Sequence, residues 1–313
     1  MENTRASVTA FGAALMRAVH TRVSPSPLIH DSWGDRLVLE AERKVVLRVV
    51  LNGLSPEARE RCEKLGTSSA VLVAALQAHP GYGWAVLRAR YAEDALQAAI
   101  ERGVRQYVIV GAGFDSFSLR QPAFAQHVDV FEIDHPATQE LKRQRLRERG
   151  VALPDTLHFV PADLGEERIA ESLGRSTFRL MDPAFFSWLG VTQYLSREAN
   201  LATLRGIVAC SAPGSELVFT YVEQRALESR ASTRVGNLQQ AFAAAREPWL
   251  SGFDPSLLAE NLAAVGLLLI EDLNGLDVQK RYCAADHQND LNPLNAGHIA
   301  LARQPSAAAS QRL

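Results

Sequence analysis

The hydrophobic pattern divides the chain into a helical first third and a longer part in which strands and helices alternate. From about residue 7 to residue 102, apolar positions recur at three- and four-residue spacing, which is typical of amphipathic helices. Beyond residue 104, short unbroken apolar runs alternate with helical patterns, which is typical of a doubly wound α/β sheet. The predicted strands are 106–110, 128–134, 157–160, 185–191, 216–221, 267–270 and 298–302. The pattern therefore predicts a helical cap over residues 1–103 and an α/β domain over residues 104–303.

Three segments need their own interpretation. Residues 222–262 are polar, alanine-rich and helical in spacing, and they follow the fifth strand, so we predict a helical lid above the carboxyl edge of the sheet. A peripheral helix pair is the alternative. The charged run Lys142-Arg143-Gln144-Arg145-Leu146-Arg147 is interpreted as the solvent-exposed face of a helix. Residues 304–313 show no periodicity and predict a disordered tail.

The first predicted strand runs directly into a glycine turn. Residues 106–110 are apolar without alternation, as in a strand buried on both faces, and Gly111 and Gly113 follow at once. Glycines let the backbone turn sharply and approach a ligand closely, because they carry no Cβ. The second strand ends at Asp134, whose carboxylate can accept both hydroxyls of a ribose. These features predict an adenosine-containing ligand at the carboxyl ends of the first two strands.

Position 116 separates two classes of ligand. A dinucleotide-binding fingerprint would have a third glycine there, and this chain has Ser116. The helical first third is also long for a nucleotide-binding dehydrogenase, whose fingerprint usually opens the domain. Both observations favour a mononucleoside cofactor. An NAD(P)-dependent oxidoreductase and a cofactor-binding protein without catalysis stay open as alternatives.

Composition narrows the function mainly by exclusion. The chain has 313 residues, 33 Lys and Arg against 35 Asp and Glu, and 47% hydrophobic residues. The charges are dispersed without a basic stripe, so we expect no nucleic-acid partner. No apolar run reaches the roughly twenty residues of a membrane span, and the N-terminus has no signal-peptide core, so we expect a cytoplasmic protein without a membrane partner. The three cysteines are far apart, and neither a disulfide framework nor a metal site is expected.

Four motifs, in a fixed order, match those of a known family. They are Val110-Gly111-Ala112-Gly113-Phe114-Asp115-Ser116, Phe131-Glu132-Ile133-Asp134-His135-Pro136, Val160-Pro161-Ala162-Asp163-Leu164 and Leu189-Gly190-Val191-Thr192-Gln193-Tyr194-Leu195. The chain thereby resembles the S-adenosylmethionine-dependent methyltransferases of the leucine carboxyl methyltransferase family, which includes bacterial polyketide O-methyltransferases. The resemblance implies a class I (Rossmann-like) methyltransferase fold, with a seven-stranded, mostly parallel sheet whose last strand is antiparallel. It also implies S-adenosyl-L-methionine as the cofactor.

The resemblance assigns roles to individual residues of the cofactor site. The methionine end of the cofactor is expected over the glycine turn and its ribose at Asp134. The adenine is expected at Asp163 and Leu164, although a helix N-cap role is a compatible alternative for Asp163. An arginine of the helix before the first strand is expected to bind the cofactor's carboxylate; Arg88 matches best, with Arg90 as the fallback. The expected cofactor-binding residues are thus Arg88, Gly111, Gly113, Asp115, Asp134, Asp163 and Leu164.

The acceptor of the methyl group is less well defined. Methyl transfer from a sulfonium is a direct displacement that depends mainly on positioning. A carboxylate acceptor needs no base at pH 7, whereas a hydroxyl acceptor would benefit from one, and the sequence places no His or acid convincingly for that task. Tyr194 and His135 are candidates for positioning the reactants, with a core aromatic and a helix-start residue as the alternatives.

The acceptor-binding candidates are Tyr194, Arg225 and Arg230. Leu189 stands where many relatives have Glu, which weakens the inference about the acceptor more than the inference about the cofactor. We expect a small-molecule acceptor with a carboxylate or a hydroxyl group. Its identity, and the oligomeric state, a homodimer included, stay open.

Overall fold

A computed structural model describes residues 7–229, 234–283 and 291–305, and in them the chain forms one seven-stranded sheet. The strands are β1 (Gln106–Val110), β2 (Asp129–Asp134), β3 (Leu157–Pro161), β4 (Ala184–Trp188), β5 (Glu216–Val222), β6 (Leu268–Asn274) and β7 (Gly297–Arg303). Their order is β3-β2-β1-β4-β5-β7-β6. β1 to β5 are parallel, and β7 is antiparallel to both of its neighbours, β5 and β6. The predicted fold class is confirmed.

Helices precede the sheet and then alternate with its strands. The first third contains α1 (Val8–Val23), α2 (Trp33–Leu37), α3 (Glu40–Asn52), α4 (Pro56–Glu63), α5 (Ser68–Ala78) and α6 (Gly81–Glu101). The later helices are α7 (Phe117–Arg120), α8 (Pro136–Glu148), α9 (Ile169–Gly174), α10 (Arg197–Ala209), α11 (Gln224–Glu228), α12 (Arg234–Ala244), α13 (Leu258–Ala263) and α14 (Gly275–Cys283).

The helical first third shares one hydrophobic core with a face of the sheet. Leu15 of α1, Val86 of α6 and Ile109 of β1 are all buried in the same cluster. Val108 and Val110 point to the opposite face, because side chains alternate along a strand, and they pack there with residues from α9, α10 and α13. The N-terminal helices are therefore a layer of the sheet domain that covers one face of the sheet.

The segment after β5 leaves the sheet for a shorter distance than the predicted 222–262. α11 and α12 belong to this insertion, whereas Leu258 and Leu262 of α13 are fully buried against the sheet. The part that stands clear of the sheet thus ends before residue 258. Residues 306–313 of the predicted tail lie outside the described residues.

The charged run on α8 is only partly exposed. Lys142 is 1% exposed and its Nζ lies 2.5 Å from Glu132 Oε2, while Arg145 is 7% exposed and lies 2.5 Å from a carboxylate oxygen of Glu42. The expected solvated face is therefore wrong for these two residues. They are three positions apart, which places both on the buried side of the helix. The other two arginines of the run are exposed.

The described ranges hold no clear membrane span and no metal cluster. No single helix there is long and apolar enough to cross a membrane. The bent pair formed by α5 and α6, which meet at 69°, has the length and apolar composition of a span when the two helices are taken together. Within the same ranges no group of three or more His, Cys, Asp or Glu side chains is arranged to hold a metal ion.

Candidate functional site

Two adjoining cavities lie at the carboxyl edge of the sheet. The larger, about 1640 Å³ including the part open to solvent, is lined by the glycine turn and the ends of β2 and β3, and we call it the polar pocket. The smaller, about 860 Å³ measured in the same way, is lined by α1, α3, α6, β5 and the insertion, and we call it the apolar pocket. Six residues line both pockets and form the junction between them: Thr9, Ala13, Ala85, Arg88, Gly190 and Tyr194.

The glycine turn forms the floor of the polar pocket. Gly111 and Gly113 have φ of +70° and +51°, a left-handed conformation that disfavours other residues. A Cβ on Gly111 would lie 2.5 Å from Cγ2 of Val191, and one on Gly113 would lie 2.9 Å from Cβ of Ala10. The expected close approach is therefore made by the chain itself, since α1 and the loop after β4 pack directly onto the turn.

A buried ion pair supports this turn from below. Lys142 Nζ donates to the backbone carbonyl of Asp115 at 2.6 Å and to Glu132 at 2.5 Å. Burial raises the pKa of Glu132 to about 7, and the nearby ammonium opposes that rise. Asp115 lines the polar pocket, where its Oδ1 accepts the backbone N–H of Phe117 at 2.8 Å. Lys142 thus ties α8 to the turn that carries the site.

Asp134 stands beside the turn at the end of β2. One of its carboxylate oxygens accepts the N–H of Gly113, and the other accepts the N–H of His135 at 2.6 Å. Burial raises the pKa of Asp134, while these two backbone donors act in the opposite direction. Each carboxylate oxygen has a further lone pair, so the group can still accept two hydroxyls from a ligand in the polar pocket.

The end of β3 brings Asp163 and Leu164 to the same pocket. Oδ1 of Asp163 accepts the N–H of Gly165 at 2.9 Å within a turn and caps no helix, since α9 begins only at Ile169; the side chain is 44% exposed and stays accessible. His135 caps α8 by accepting the N–H of Ala137 at 3.2 Å, and its Nε2 lies 3.8 Å from Asp163. His135 lines the polar pocket but not the apolar one, so its position does not favour a role beside the acceptor.

Arg88 reaches the junction from α6 and lies against Gly190. A Cβ on Gly190 would come within 2.2 Å of Arg88 Nη1, and Gly190 has a φ of +72°. No hydrogen bond or ion pair joins the Arg88 guanidinium to any other residue that the structure describes. Burial, and then the neighbouring Arg17, lower the pKa of Arg88 to about 10, so it stays charged at neutral pH. Such a half-buried cation, with no partner among the described residues, indicates a site for an anionic group of a ligand.

The other two arginines near this helix have partners. Arg90, the fallback candidate in the same helix, lies 2.9 Å from Asp94, donates to the carbonyl of Leu28 at 3.2 Å and lines neither pocket. Arg17 lines the polar pocket, but it is paired with the buried Asp31 at 2.7 Å. The geometry thus favours Arg88 over Arg90 as the anion-binding arginine.

Tyr194 is linked to a carboxylate that the sequence did not single out. Its hydroxyl donates to Thr9 Oγ1 at 3.2 Å, and the Thr9 hydroxyl donates to Glu247. Glu247 also accepts the backbone N–H groups of Val8 at 2.8 Å and of Thr9 at 3.2 Å, at the first turn of α1. Glu247 lies in the insertion, 238 positions from Thr9, so no local motif could have revealed the contact.

The apolar pocket has aromatic walls and one charged group. Phe242 and Trp249 of the insertion stack at 5.6 Å with 22° between their planes, and they line the pocket together with Trp84 of α6. His79 also lines it, and burial lowers its pKa to about 4, so the ring is neutral at pH 7. Among the described residues that line this pocket, Arg88 alone carries a full charge.

The structure does not place either of the two predicted lid arginines at a pocket. The side chain of Arg225 is 92% exposed, lies 3.7 Å from Glu223 and lines neither cavity, so the structure does not support its predicted contact with the acceptor. Arg230 lies outside the described residues. Leu189 lines the polar pocket, where it presents no carboxylate to a ligand.

Comparisons with known proteins identify the family. The family model for leucine carboxyl methyltransferase matches residues 10–208. A protein of Bacillus subtilis (strain 168) named "Putative S-adenosyl-L-methionine-dependent methyltransferase YktD" is 33% identical over 283 residues, which cover 89% of this chain and 91% of the relative. A Mycolicibacterium smegmatis protein with the same kind of name is 33% identical over 234 residues, which cover 73% of this chain and 71% of the relative.

Solved structures show the same fold at low sequence identity. A structure described as a "putative methyltransferase" from Thermobifida fusca YX has a TM-score of 0.57 and 15% identity, and the match covers 97% of both chains. A DUF574 family protein from Streptomyces avermitilis has a TM-score of 0.55 and 18% identity, over 83% of this chain and 97% of that one. The resemblance carried by the four motifs is thereby confirmed: the chain belongs to the leucine carboxyl methyltransferase family of S-adenosylmethionine-dependent methyltransferases.

Proposed function

We propose that this methyltransferase is an O-methyltransferase that acts on a small apolar molecule, such as a polyketide-type natural product. The observation that carries the proposal is the position of Arg88, a half-buried cation without an anionic partner among the described residues, at the junction of a polar and an apolar pocket. One pocket suits a charged nucleoside cofactor and the other an uncharged acceptor. Their junction is the place at which the two molecules would meet.

The polar pocket fits S-adenosylmethionine residue by residue. Arg88 would hold the amino-acid carboxylate through two hydrogen bonds, which a planar guanidinium can form and an ammonium cannot. Asp134 would accept the ribose hydroxyls. Asp163 would accept the exocyclic amine of adenine, and the backbone N–H of Leu164 would donate to a ring nitrogen. Bound in this way, the cofactor supplies an electrophilic methyl group on a sulfonium.

The chain's own contribution is mainly orientation. The aromatic walls of the apolar pocket would hold the acceptor and exclude water, with Tyr194 at the junction. Holding two reactants in line is worth up to about 7–11 kcal/mol of the barrier. The helical cap, residues 1–103, and the insertion would enclose both molecules, with the insertion acting as a lid whose Glu247 fastens to α1.

Transfer of a labelled methyl group tests this proposal. The purified chain is incubated with methyl-labelled S-adenosylmethionine and paired aryl carboxylic acids and aryl alcohols, and products are scored by mass spectrometry. We expect label in an O-methyl product together with an equal amount of S-adenosylhomocysteine. Arg88→Met should lower turnover at limiting cofactor by about ten- to a hundredfold, whereas Arg90→Met, from the same helix, should retain it. Binding of the cofactor without transfer to any member of the panel would contradict the proposal and favour a binding protein.

A further inference from the structure

A relay of three side chains runs from Tyr194, at the junction of the pockets, to Glu247, a half-buried carboxylate that lines the polar pocket. The hydroxyl of Tyr194 donates to Thr9, and that of Thr9 donates to Glu247. We infer that the methyl acceptor is a hydroxyl group, and that Tyr194 and Thr9 relay its proton to Glu247. This inference rests on the proposed function. The inference deepens the proposed function, because it selects one acceptor class and assigns a base.

The direction of the hydrogen bonds carries the argument. A hydroxyl has one proton to donate. The Tyr194 proton is donated to Thr9, and the Thr9 proton is donated to Glu247. The Tyr194 oxygen therefore presents its lone pairs to the junction, where the side chains of Trp249 and Gln193 also approach it. A hydroxyl acceptor can donate to that oxygen, whereas a carboxylate would meet lone pair with lone pair. Burial also raises the pKa of Tyr194, so the phenol keeps its proton at neutral pH and can pass it on.

Glu247 is held where a terminal base has to be. Its carboxylate accepts the N–H groups of Val8 and Thr9 at the start of α1, a 16-residue helix whose dipole favours negative charge there. The residue is half-buried, so a proton that reaches it can leave to solvent. Tyr194 lies at the other end of this series of hydrogen bonds and lines both pockets.

The charges around the junction agree with an uncharged acceptor. Arg88 is the one charged residue among the described residues that line the apolar pocket, and the proposed function assigns it to the carboxylate of the cofactor. His79 on the same wall is neutral. A carboxylate acceptor would thus enter the apolar pocket without a cation of its own, at a desolvation cost of several kcal/mol.

The proton and electron balance of the step closes without a further reactant. The acceptor oxygen forms a bond to the methyl carbon as the carbon–sulfur bond breaks, and that electron pair stays on sulfur. The acceptor proton moves to the oxygen of Tyr194, the Tyr194 proton to Thr9 and the Thr9 proton to the carboxylate of Glu247. The acceptor O–H becomes strongly acidic as the new bond forms, so a weak base suffices. Base assistance of this kind contributes about 10²–10⁴ in rate.

A binding experiment tests the contact without turnover. Calorimetry with S-adenosylhomocysteine present compares 2-naphthol, its methyl ether and 2-naphthoate. We expect 2-naphthol to bind at least tenfold more tightly than 2-naphthoate. Tyr194→Phe should weaken the binding of 2-naphthol about five- to tenfold, as the loss of one hydrogen bond implies. The affinity for the methyl ether should stay unchanged.

A pH profile separates proton transfer from mere positioning. With 2-naphthol at pH 7, Tyr194→Phe, Thr9→Val and Glu247→Gln should each lower the methylation rate at least thirtyfold. The deficit should shrink by about tenfold per pH unit toward the phenol's own pKa of about 10, because a phenolate needs no relay. Glu228→Gln, in the same insertion but exposed and bonded to Gln224, is the matched control and should match the wild type.

The outcomes are distinguishable. A loss that stays the same at all pH values, in variants that still bind S-adenosylhomocysteine, would reduce the three residues to positioning of α1 and overturn the relay. Faster methylation of 2-naphthoate, or no binding and no methylation of 2-naphthol by a protein that binds S-adenosylhomocysteine, would overturn the hydroxyl assignment. Failure to bind S-adenosylhomocysteine at all would instead count against the proposed function.

Discussion

Arg88 and Gly190 are matched to each other: the guanidinium occupies the space in which any side chain at position 190 would begin, 2.2 Å from the ideal Cβ position. Gly190→Ala should therefore displace Arg88 and lower the affinity for S-adenosylhomocysteine at least tenfold. The substitution also strains the backbone by about 1–2 kcal/mol, because φ is +72°. Calorimetric titration measures the affinity.

Gly214→Ala is the matched control for that strain. Gly214 has a φ of +89°, with open space around its Cβ position and no contact with either pocket. The Gly214→Ala variant should lose a similar amount of unfolding free energy and should bind S-adenosylhomocysteine like the wild type. Equal affinity of Gly190→Ala and Gly214→Ala would remove the link between Gly190 and Arg88.

Arg88 should recognise only the amino-acid end of the cofactor. Arg88→Met should weaken the binding of S-adenosylhomocysteine by about ten- to a hundredfold, which corresponds to the loss of a charge-assisted hydrogen bond of about 1.5–3 kcal/mol. Methylthioadenosine lacks the carboxylate, so its affinity should change less than threefold. Arg90→Met is the control from the same helix, and a larger effect there than at Arg88 would reverse the assignment.

Substitution of Asp134, unlike that of Arg88, should affect both ligands alike. Asp134→Asn keeps one oxygen to accept the N–H of Gly113 or His135 but loses the second acceptor for the ribose. Both S-adenosylhomocysteine and methylthioadenosine should bind at least tenfold more weakly, since both carry the ribose. Isothermal titration with the two ligands measures this, and an unchanged affinity for methylthioadenosine would exclude a ribose contact.

The buried pair under the glycine turn predicts a pH-dependent loss of stability. Lys142→Met leaves Glu132 buried without its partner, which should cost about 3–5 kcal/mol of unfolding free energy at pH 8. Burial raises the pKa of Glu132 to about 7 even beside the lysine. The folded variant therefore binds more protons than the unfolded chain above pH 4.5, and its stability falls as the pH rises.

Urea denaturation of this variant at pH 5 and pH 8 measures the effect. The loss should be smaller at pH 5, where Glu132 is protonated, and the added substitution Glu132→Gln should restore much of the stability at pH 8. A loss that is independent of pH would mean that the lysine acts through packing alone.

The elements that the sequence predicts best are those with a local cause. The strand at 106–110 is buried on both faces, residues 107–110 form an unbroken apolar run, and the turn after it needs a left-handed backbone at Gly111 and Gly113. The acids Asp134 and Asp163 follow their strands directly. Parallel strands end at one edge of the sheet, so local motifs alone bring these residues together.

The features that the sequence did not resolve depend on packing between distant segments. Arg88 and Arg90 are two residues apart, which is a rotation of about 200° on a helix, and only the packing of α6 decides which one faces the junction. Lys142 is buried because Glu132 lies beneath α8. Glu247 meets Thr9 through the fold of the insertion over α1, which no spacing in the sequence encodes.

Calorimetry on the purified chain, with S-adenosylhomocysteine and NAD compared under the same conditions, decides which class of cofactor the site binds. The arrangement of Arg88, Asp134 and the glycine turn predicts one site per chain with a micromolar or tighter dissociation constant for S-adenosylhomocysteine and no heat from NAD. Tight binding of NAD, without a response to S-adenosylhomocysteine, would contradict the assignment of these residues to an S-adenosylmethionine site.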